Sequence, residues 1–248
     1  MSRRNEVILE AQGLTKLFGG SAALKDVSFS AASGEILGLI GPNGAGKTTL
    51  LNLLSGVLKP SSGKVLFGGR DVSGLKPHAI ARLGIARTLQ TPRSFPSMTV
   101  LENVMVGALF GQTHRAHSSA AAARQAEPIL DLMGLGGRRH SPVASLNLQE
   151  RKRVELARAL AMAPRVVLID EAMSGLNPAE IEDAMRLIGR LRDETGVAII
   201  WVEHVVKAIM EVVERIIVLD FGKVIATGSP SEIARNDAVI EAYLGTRA

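Results

Sequence analysis

Apolar residues come along this chain in short blocks, and the form of each block predicts its element. "EVILEA", "ALKDVSFS" and "EILGLI" open the sequence between Gly and Ser turns, and each has the length and β-rich makeup of a strand. "KVLFGG" and "GIARTLQ" follow as further strands. From Phe95 to Pro142 the pattern turns helical and Ala-rich, with "HSSAAAARQAEPIL" a helix former by propensity. Strand signals return in "RVVLID", "VAIIWVEH" and "RIIVLD", whose nearly unbroken hydrophobicity fits a parallel sheet covered on both faces. "LDFGKVIATG" predicts a hairpin turning at Phe221 and Gly222. No internal repeat and no linker breaks the pattern. The expectation is one α/β core with a helical insertion, residues 1–248 forming a single domain.

Composition narrows the class. The 248 residues suffice for one large core, and aromatics are only 3%, so aliphatic side chains must fill it. No apolar run approaches the roughly 20 residues that span a bilayer, and the apolar part of the N-terminal stretch is too short for a signal peptide. Zero cysteines exclude disulfides and thiol chemistry. The formal charge of +5 invites a nucleic-acid reading, but one Trp and one Tyr supply no stacking platform and the cations are scattered. No nucleic-acid partner is expected. His114 and His117 lack further ligands nearby and are read as solvent-exposed rather than metal-binding.

The strongest chemical signal is a strand running into Gly41, Pro42, Asn43, Gly44, Ala45, Gly46, Lys47 and Thr48, which fits GxxxxGK[ST], with Thr49 and a Leu-rich helix after it. Such glycines free backbone N–H groups to curl round a phosphate, and the helix N-terminus adds its positive dipole end. Lys47 should reach the β- and γ-phosphates, and the Thr48 hydroxyl should ligate Mg²⁺. In "RVVLIDEA", Asp170 ends a buried strand, where it can hold Mg²⁺ through water. Glu171 is the natural general base for a water attacking the γ-phosphate. His204 and Gln90 end other strands at the edge where ligands of open α/β sheets collect. His204 can bond the γ-phosphate, and Gln90 can sense Mg²⁺ and the attacking water. Phe18 offers a flat face to adenine, although a lone Phe more often fills a core.

"GPNGAGKTT", "RTLQ", "LIDEAMSGLNPAE" and "IIWVEH", in that order, resemble the ATP-binding subunit of an ABC transporter over almost the whole chain. "KLFGG", "LNPAEIEDAM" and "RNDAVIEAYLG" are similar to the branched-chain (hydrophobic) amino acid uptake subfamily. The resemblance implies a P-loop, RecA-like core with an antiparallel β lobe and a helical lobe at about residues 95–163. It implies Gly41–Thr49 as the Walker A loop, Asp170 as the Walker B carboxylate, Glu171 as the base, Gln90 as the Q-loop glutamine and His204 as the switch histidine. Phe18 becomes the aromatic under adenine, and Ser174 to Asn177 fall on the D-loop. The cofactors implied are ATP and Mg²⁺. The implied partners are two transmembrane permease subunits, a second ATP-binding subunit and, indirectly, an extracytoplasmic solute-binding protein, which places the chain on the cytoplasmic face of the inner membrane.

Three positions depart from the family pattern. Ala172 stands where Pro usually follows the base, and Asn177 where many members carry Asp. Asn177, Pro178 and Glu180 nonetheless make a capping box with Pro at the first helical position. The third departure is "LNLQE", Leu146 to Glu150, in place of the usual LSGGQ. Asn147 with Glu150 can cap a helix striped by Val154, Ala157, Leu160 and Ala161. Arg151, Lys152 and Arg153 crowd the wrong end of its dipole. The stretch reads either as a plain capped helix or, the favoured expectation, as a usable partner-site contact through Asn147 and Gln149. An alternative function follows from it: a module with little hydrolysis of its own, serving as the degenerate half of a heterodimer.

Overall fold

A computed structural model describes residues 6–111 and 118–244. His114 and His117 lie outside the described residues. The chain opens with two long antiparallel strands, β1 (Val7–Phe18) and β2 (Ser21–Ala32), then β3 (Ile36–Ile40), helix α1 (Lys47–Leu54), β4 (Ser62–Phe67) and the short β5 (Arg70–Asp71). Next come α2 (Pro77–Leu83), β6 (Ile85–Arg87), α3 (Val100–Phe110), α4 (Ser119–Leu132) and α5 (Leu148–Ala161). The second half alternates: β7 (Val166–Asp170), α6 (Pro178–Thr195), β8 (Ala198–Val202), α7 (Val206–Val212), β9 (Arg215–Asp220), β10 (Lys223–Gly228), α8 (Pro230–Ile233) and α9 (Asp237–Leu244).

Two sheets result. Strands β2, β1, β4 and β5 pair antiparallel in that order, and the second sheet runs β10-β9-β3-β8-β7-β6. Within it β9, β3, β8, β7 and β6 are parallel, and β10 closes the edge antiparallel. Alternate residues of these strands feed opposite cores. Ile36, Ile40, Val167, Ile169, Ile199 and Trp201 join the cluster that includes α3 to α7. Leu37, Leu39, Val166, Leu168, Ile200 and Val202 join the cluster under α1 and the antiparallel sheet. With no face left for water, every residue of β3, β7 and β8 is buried, which is why these strands read as unbroken apolar runs.

The hairpin expected at Phe221 and Gly222 is present. Both residues have positive φ (41° and 77°), and Lys223 pairs with Asp220, the arrangement of a two-residue turn whose twist matches its strands. The opening strands are longer than their apolar blocks. β1 runs through Lys16 and Leu17 to pair Phe18 with Ser21, because Gly13 (φ 60°) and Asp26 (φ 55°) absorb register shifts that break the period-two pattern. "GIARTLQ" is a strand only over Ile85–Arg87. Helices α3, α4 and α5 form the helical lobe, and α3 is started by a Thr99–Glu102 capping box.

Candidate functional site

The phosphate loop joins β3 to α1, and its glycines are required by space as well as by dihedral. A Cβ on Gly41 (φ 154°) would stand 2.1 Å from the Leu219 carbonyl oxygen, and one on Gly46 (φ 102°) 2.7 Å from that of Ala23. Helix α1 begins with no side-chain cap and no acid in its first turn, so its N-terminal N–H groups and dipole end face the loop without competition. Lys47 is buried and its ammonium donates to Gly41 O (2.6 Å) and Pro42 O (2.9 Å), lying across the loop's mouth. Burial pulls its pKa down, while Glu171 and Asp170 act the other way. A cavity of about 220 Å³ opens here, walled by Ala23, the loop from Asn43 to Thr49, and Glu171. Among the sequence candidates, the structure therefore gathers Asn43, Gly44, Ala45, Gly46, Lys47, Thr48, Thr49 and Glu171 at one place.

The carboxylates Asp170 and Glu171 stand together at the C-terminal end of β7. Asp170 ends β7, and its Oδ2 takes a 2.9 Å bond from Arg87 at the end of β6. The same guanidinium reaches Asn52 Oδ1 (2.6 Å) on α1 and Ser55 Oγ (3.0 Å) at its C-cap, so one cation joins the Asp170 strand to the phosphate-loop helix. Glu171 has φ 48°, unusual for a side chain with a Cβ, and its N–H continues the sheet by donating to Val202 O at 3.0 Å. Gln90 Nε2 donates to Glu171 Oε2, and His204 Nδ1 lies 3.8 Å from that same oxygen. One carboxylate oxygen on the cavity wall thus has an amide and an imidazole beside it. Among the described residues no three His, Cys, Asp or Glu side chains cluster as a metal cage. One hydroxyl at Thr48, one carboxylate at Asp170 and the Gln90 amide oxygen fit a hard cation that takes its remaining ligands from phosphate and water, the habit of Mg²⁺.

Phe18 sits half-exposed at the tip of the β1–β2 hairpin, with Lys16 Nζ over its ring at 5.1 Å from the centroid. That cation covers one face of the ring, and Phe18 is not among the residues lining the phosphate cavity. The "LNLQE" stretch begins α5 with the expected box: Asn147 Oδ1 accepts the Glu150 N–H (2.8 Å), and Glu150 Oε2 accepts the Asn147 N–H (3.0 Å). Asn147 remains exposed. Gln149 is partly buried: its Nε2 is enclosed near Asp183 of α6, and the residue lines a small apolar cavity of about 50 Å³ between α5 and α6. The side chain turns inward because a helix that starts at Leu148 points that position toward α6. All three cations reach backbone carbonyls, and Arg153 also pairs with Asp183 on α6 at 3.4 Å. Arg151 reaches Leu146 O and Ala144 O, Lys152 reaches Glu171 O and Ser174 O, and Arg153 reaches Met133 O.

Three side chains escaped the sequence reading. Arg87 lies three residues before Gln90 in "IARTLQ", a strand end that could have flagged it. Lys152 was hidden in a basic run. Glu203, fully buried, takes the Met173 N–H at 2.7 Å. Its only signal was an acid inside an otherwise apolar strand end.

A glycine cradle at the switch from β3 to α1, with paired carboxylates at the end of β7, two strands away, defines a P-loop nucleotide-binding protein. Residues 24–174 match the ABC transporter family, and the chain belongs to that family. Residues 223–248 match the family described as branched-chain amino acid ATP-binding cassette transporter. The chain is 36% identical to the high-affinity branched-chain amino acid transport ATP-binding protein BraF of Pseudomonas aeruginosa, over 96% of this chain and 98% of BraF. It is 37% identical to the lipopolysaccharide export system ATP-binding protein LptB of Acidithiobacillus ferridurans, over 96% and 97%. The ADP conformation of MJ1267, an ATP-binding cassette of an ABC transporter, superposes with a TM-score of 0.87 at 28% identity, covering 97% of this chain and all of that one. Nothing in the relatives or the geometry favours the alternative of a module with little hydrolysis of its own.

Proposed function

We propose that this chain is the ATP-binding and hydrolysing subunit of an ABC importer that takes up branched-chain or related amino acids, one nucleotide-binding domain per chain. The observation that carries the hydrolytic part is the convergence of Gln90 and His204 on Glu171 at the wall of the phosphate cavity. Lys47 and the loop N–H groups bind the β- and γ-phosphates, and Phe18 supports the base. Glu171 takes a proton from water, Gln90 orients its carboxylate, and His204 holds the γ-phosphate side. Mg²⁺, held through Thr48, Asp170 and Gln90, would neutralise phosphate charge. Identity alone does not separate uptake from export, since LptB is as similar as BraF; the match of residues 223–248 favours amino acid uptake.

No helix among the described residues is long and apolar enough to cross a membrane, so transport needs permease partners. Their docking place is the Gln90 side of the helical lobe. Phe95 and Phe110 are exposed there, lining a groove of about 290 Å³ that also includes Arg93 and Arg158. Glu171→Gln should slow turnover by about 10²-fold or more while ATP binding persists, since a general base contributes about that much. Unchanged turnover in that variant refutes the assignment.

A further inference from the structure

Helix α5 carries two opposite charges one turn apart, and both point away from solvent into the catalytic loops. Lys152 Nζ donates to the carbonyl oxygens of Glu171 (3.2 Å) and Ser174 (2.8 Å). Glu155, only 4% exposed, accepts the N–H of Leu89 at 3.2 Å, the residue before Gln90. The two loops gripped in this way are the ones whose side chains meet in the Gln90–Glu171 bond. From the opposite side Glu203 holds the Met173 N–H. Residues 171–174 are therefore fastened at two carbonyls by a cation of the helical lobe and at one amide by an anion of the sheet. Between these grips Glu171 keeps its left-handed backbone, a conformation that persists only where the surroundings over-determine it.

Stability alone does not account for Lys152. A cation near a helix N-terminus opposes the dipole, and an apolar side chain of similar length would fill the same channel without loss of hydration. An ammonium offers three donors and no acceptor, which suits two carbonyls on one turn, of which that of Glu171 also accepts the Ser174 N–H at 3.3 Å.

The geometry points to Lys152 and Glu155 as positioning residues, a two-pronged link through which the orientation of α5 sets how Gln90 and Glu171 face each other, and hence the rate of hydrolysis. The helical lobe bears the docking groove, so a shift of that lobe reaches both loops at once. This inference rests on Glu171 being the base.

The test uses the full chain with Lys152→Met and Lys152→Arg beside wild type and Glu171→Gln. Steady-state hydrolysis, Mg-ATP affinity and amide hydrogen exchange over residues 172–176 are measured for each. Lys152→Met should lower kcat about tenfold or more, because small misplacements of catalytic groups cost up to about 10²-fold. KM and Mg-ATP affinity should stay within about twofold, with faster exchange confined to 172–176. Lys152→Arg, which keeps donors in reach, should recover most of the rate. Wild-type kcat in Lys152→Met overturns the inference and leaves the function standing. Loss of binding and rate together, with no rescue by Arg, overturns it in favour of a packing role. If wild type itself does not hydrolyse ATP, both readings fall.

Discussion

Removing the Arg87 guanidinium is the sharpest structural test of the site. Arg87 and Asp170 have side chains only 10% and 7% exposed, and they meet at 2.9 Å. Arg87→Met keeps the aliphatic bulk and deletes three bonds, to Asp170, Asn52 and Ser55. The cost is set mostly by Asp170, left as a buried carboxylate without its cation. Breaking a buried pair from one side costs about 3–5 kcal/mol. For a chain of this size each kcal/mol moves Tm by about 2–4 °C, so the variant should melt about 6–20 °C below wild type. Calorimetry at pH 7 without nucleotide measures this directly, since bound ATP would add its own stabilisation by mass action. Asp170→Asn in the Arg87→Met background removes the stranded charge, so the double variant should regain part of the loss instead of losing more. A Tm for Arg87→Met within about 2 °C of wild type, or strictly additive losses in the double variant, refutes the account.

Two further predictions follow from the glycine cradle and from the buried acid at the end of β8. Gly41→Ala forces a Cβ to 2.1 Å from the Leu219 carbonyl at a φ of 154°, so titration calorimetry should show Mg-ATP affinity falling more than about tenfold; wild-type affinity would contradict the packing argument. Burial raises the pKa of Glu203 above the ordinary 4.5, against the opposing pull of the Met173 N–H and nearby His204. Between the ordinary and the raised value the folded state holds more proton than the unfolded one, so this residue's contribution declines as pH rises through that window. Glu203→Gln keeps an acceptor for Met173 and removes the titration; its advantage over wild type in urea unfolding should therefore grow from pH 5 to pH 8, and a flat or shrinking difference would refute the linkage.

Much of the fold was legible because its signals are local. The parallel strands show as unbroken apolar runs, since both faces of that sheet are covered. The starts of α5 and α6 show in Asn147 with Glu150 and Asn177 with Glu180, each pair three residues apart and each present as a capping box. The phosphate loop is legible for a related reason: its function lies in backbone conformation, and glycine spacing records that directly. The length of β1 and β2 was not, because bulges at Gly13 and Asp26 shift the inward face and erase the alternation that marks a strand.

The remaining machinery was illegible for the opposite reason. Arg87 meets its carboxylate 83 residues away, Lys152 its carbonyl 22 away, and Glu203 its amide 30 away. Two of these three partners are backbone atoms, which carry no residue type for a motif to record. In sequence Lys152 is one of three consecutive cations, all equally suited to a solvated face. Only the rotation of α5 decides that Arg151 turns back to the preceding turn, Arg153 toward α4 and Lys152 into the loop after Asp170. The same rotation turns the Gln149 amide toward α6. A helix whose capping box pins its first turn thus sorts four polar neighbours into different surroundings. Asn147 and Leu148 form the exposed outer lip of the helix start; the inner grip on Glu171 is carried by Lys152, one turn further on.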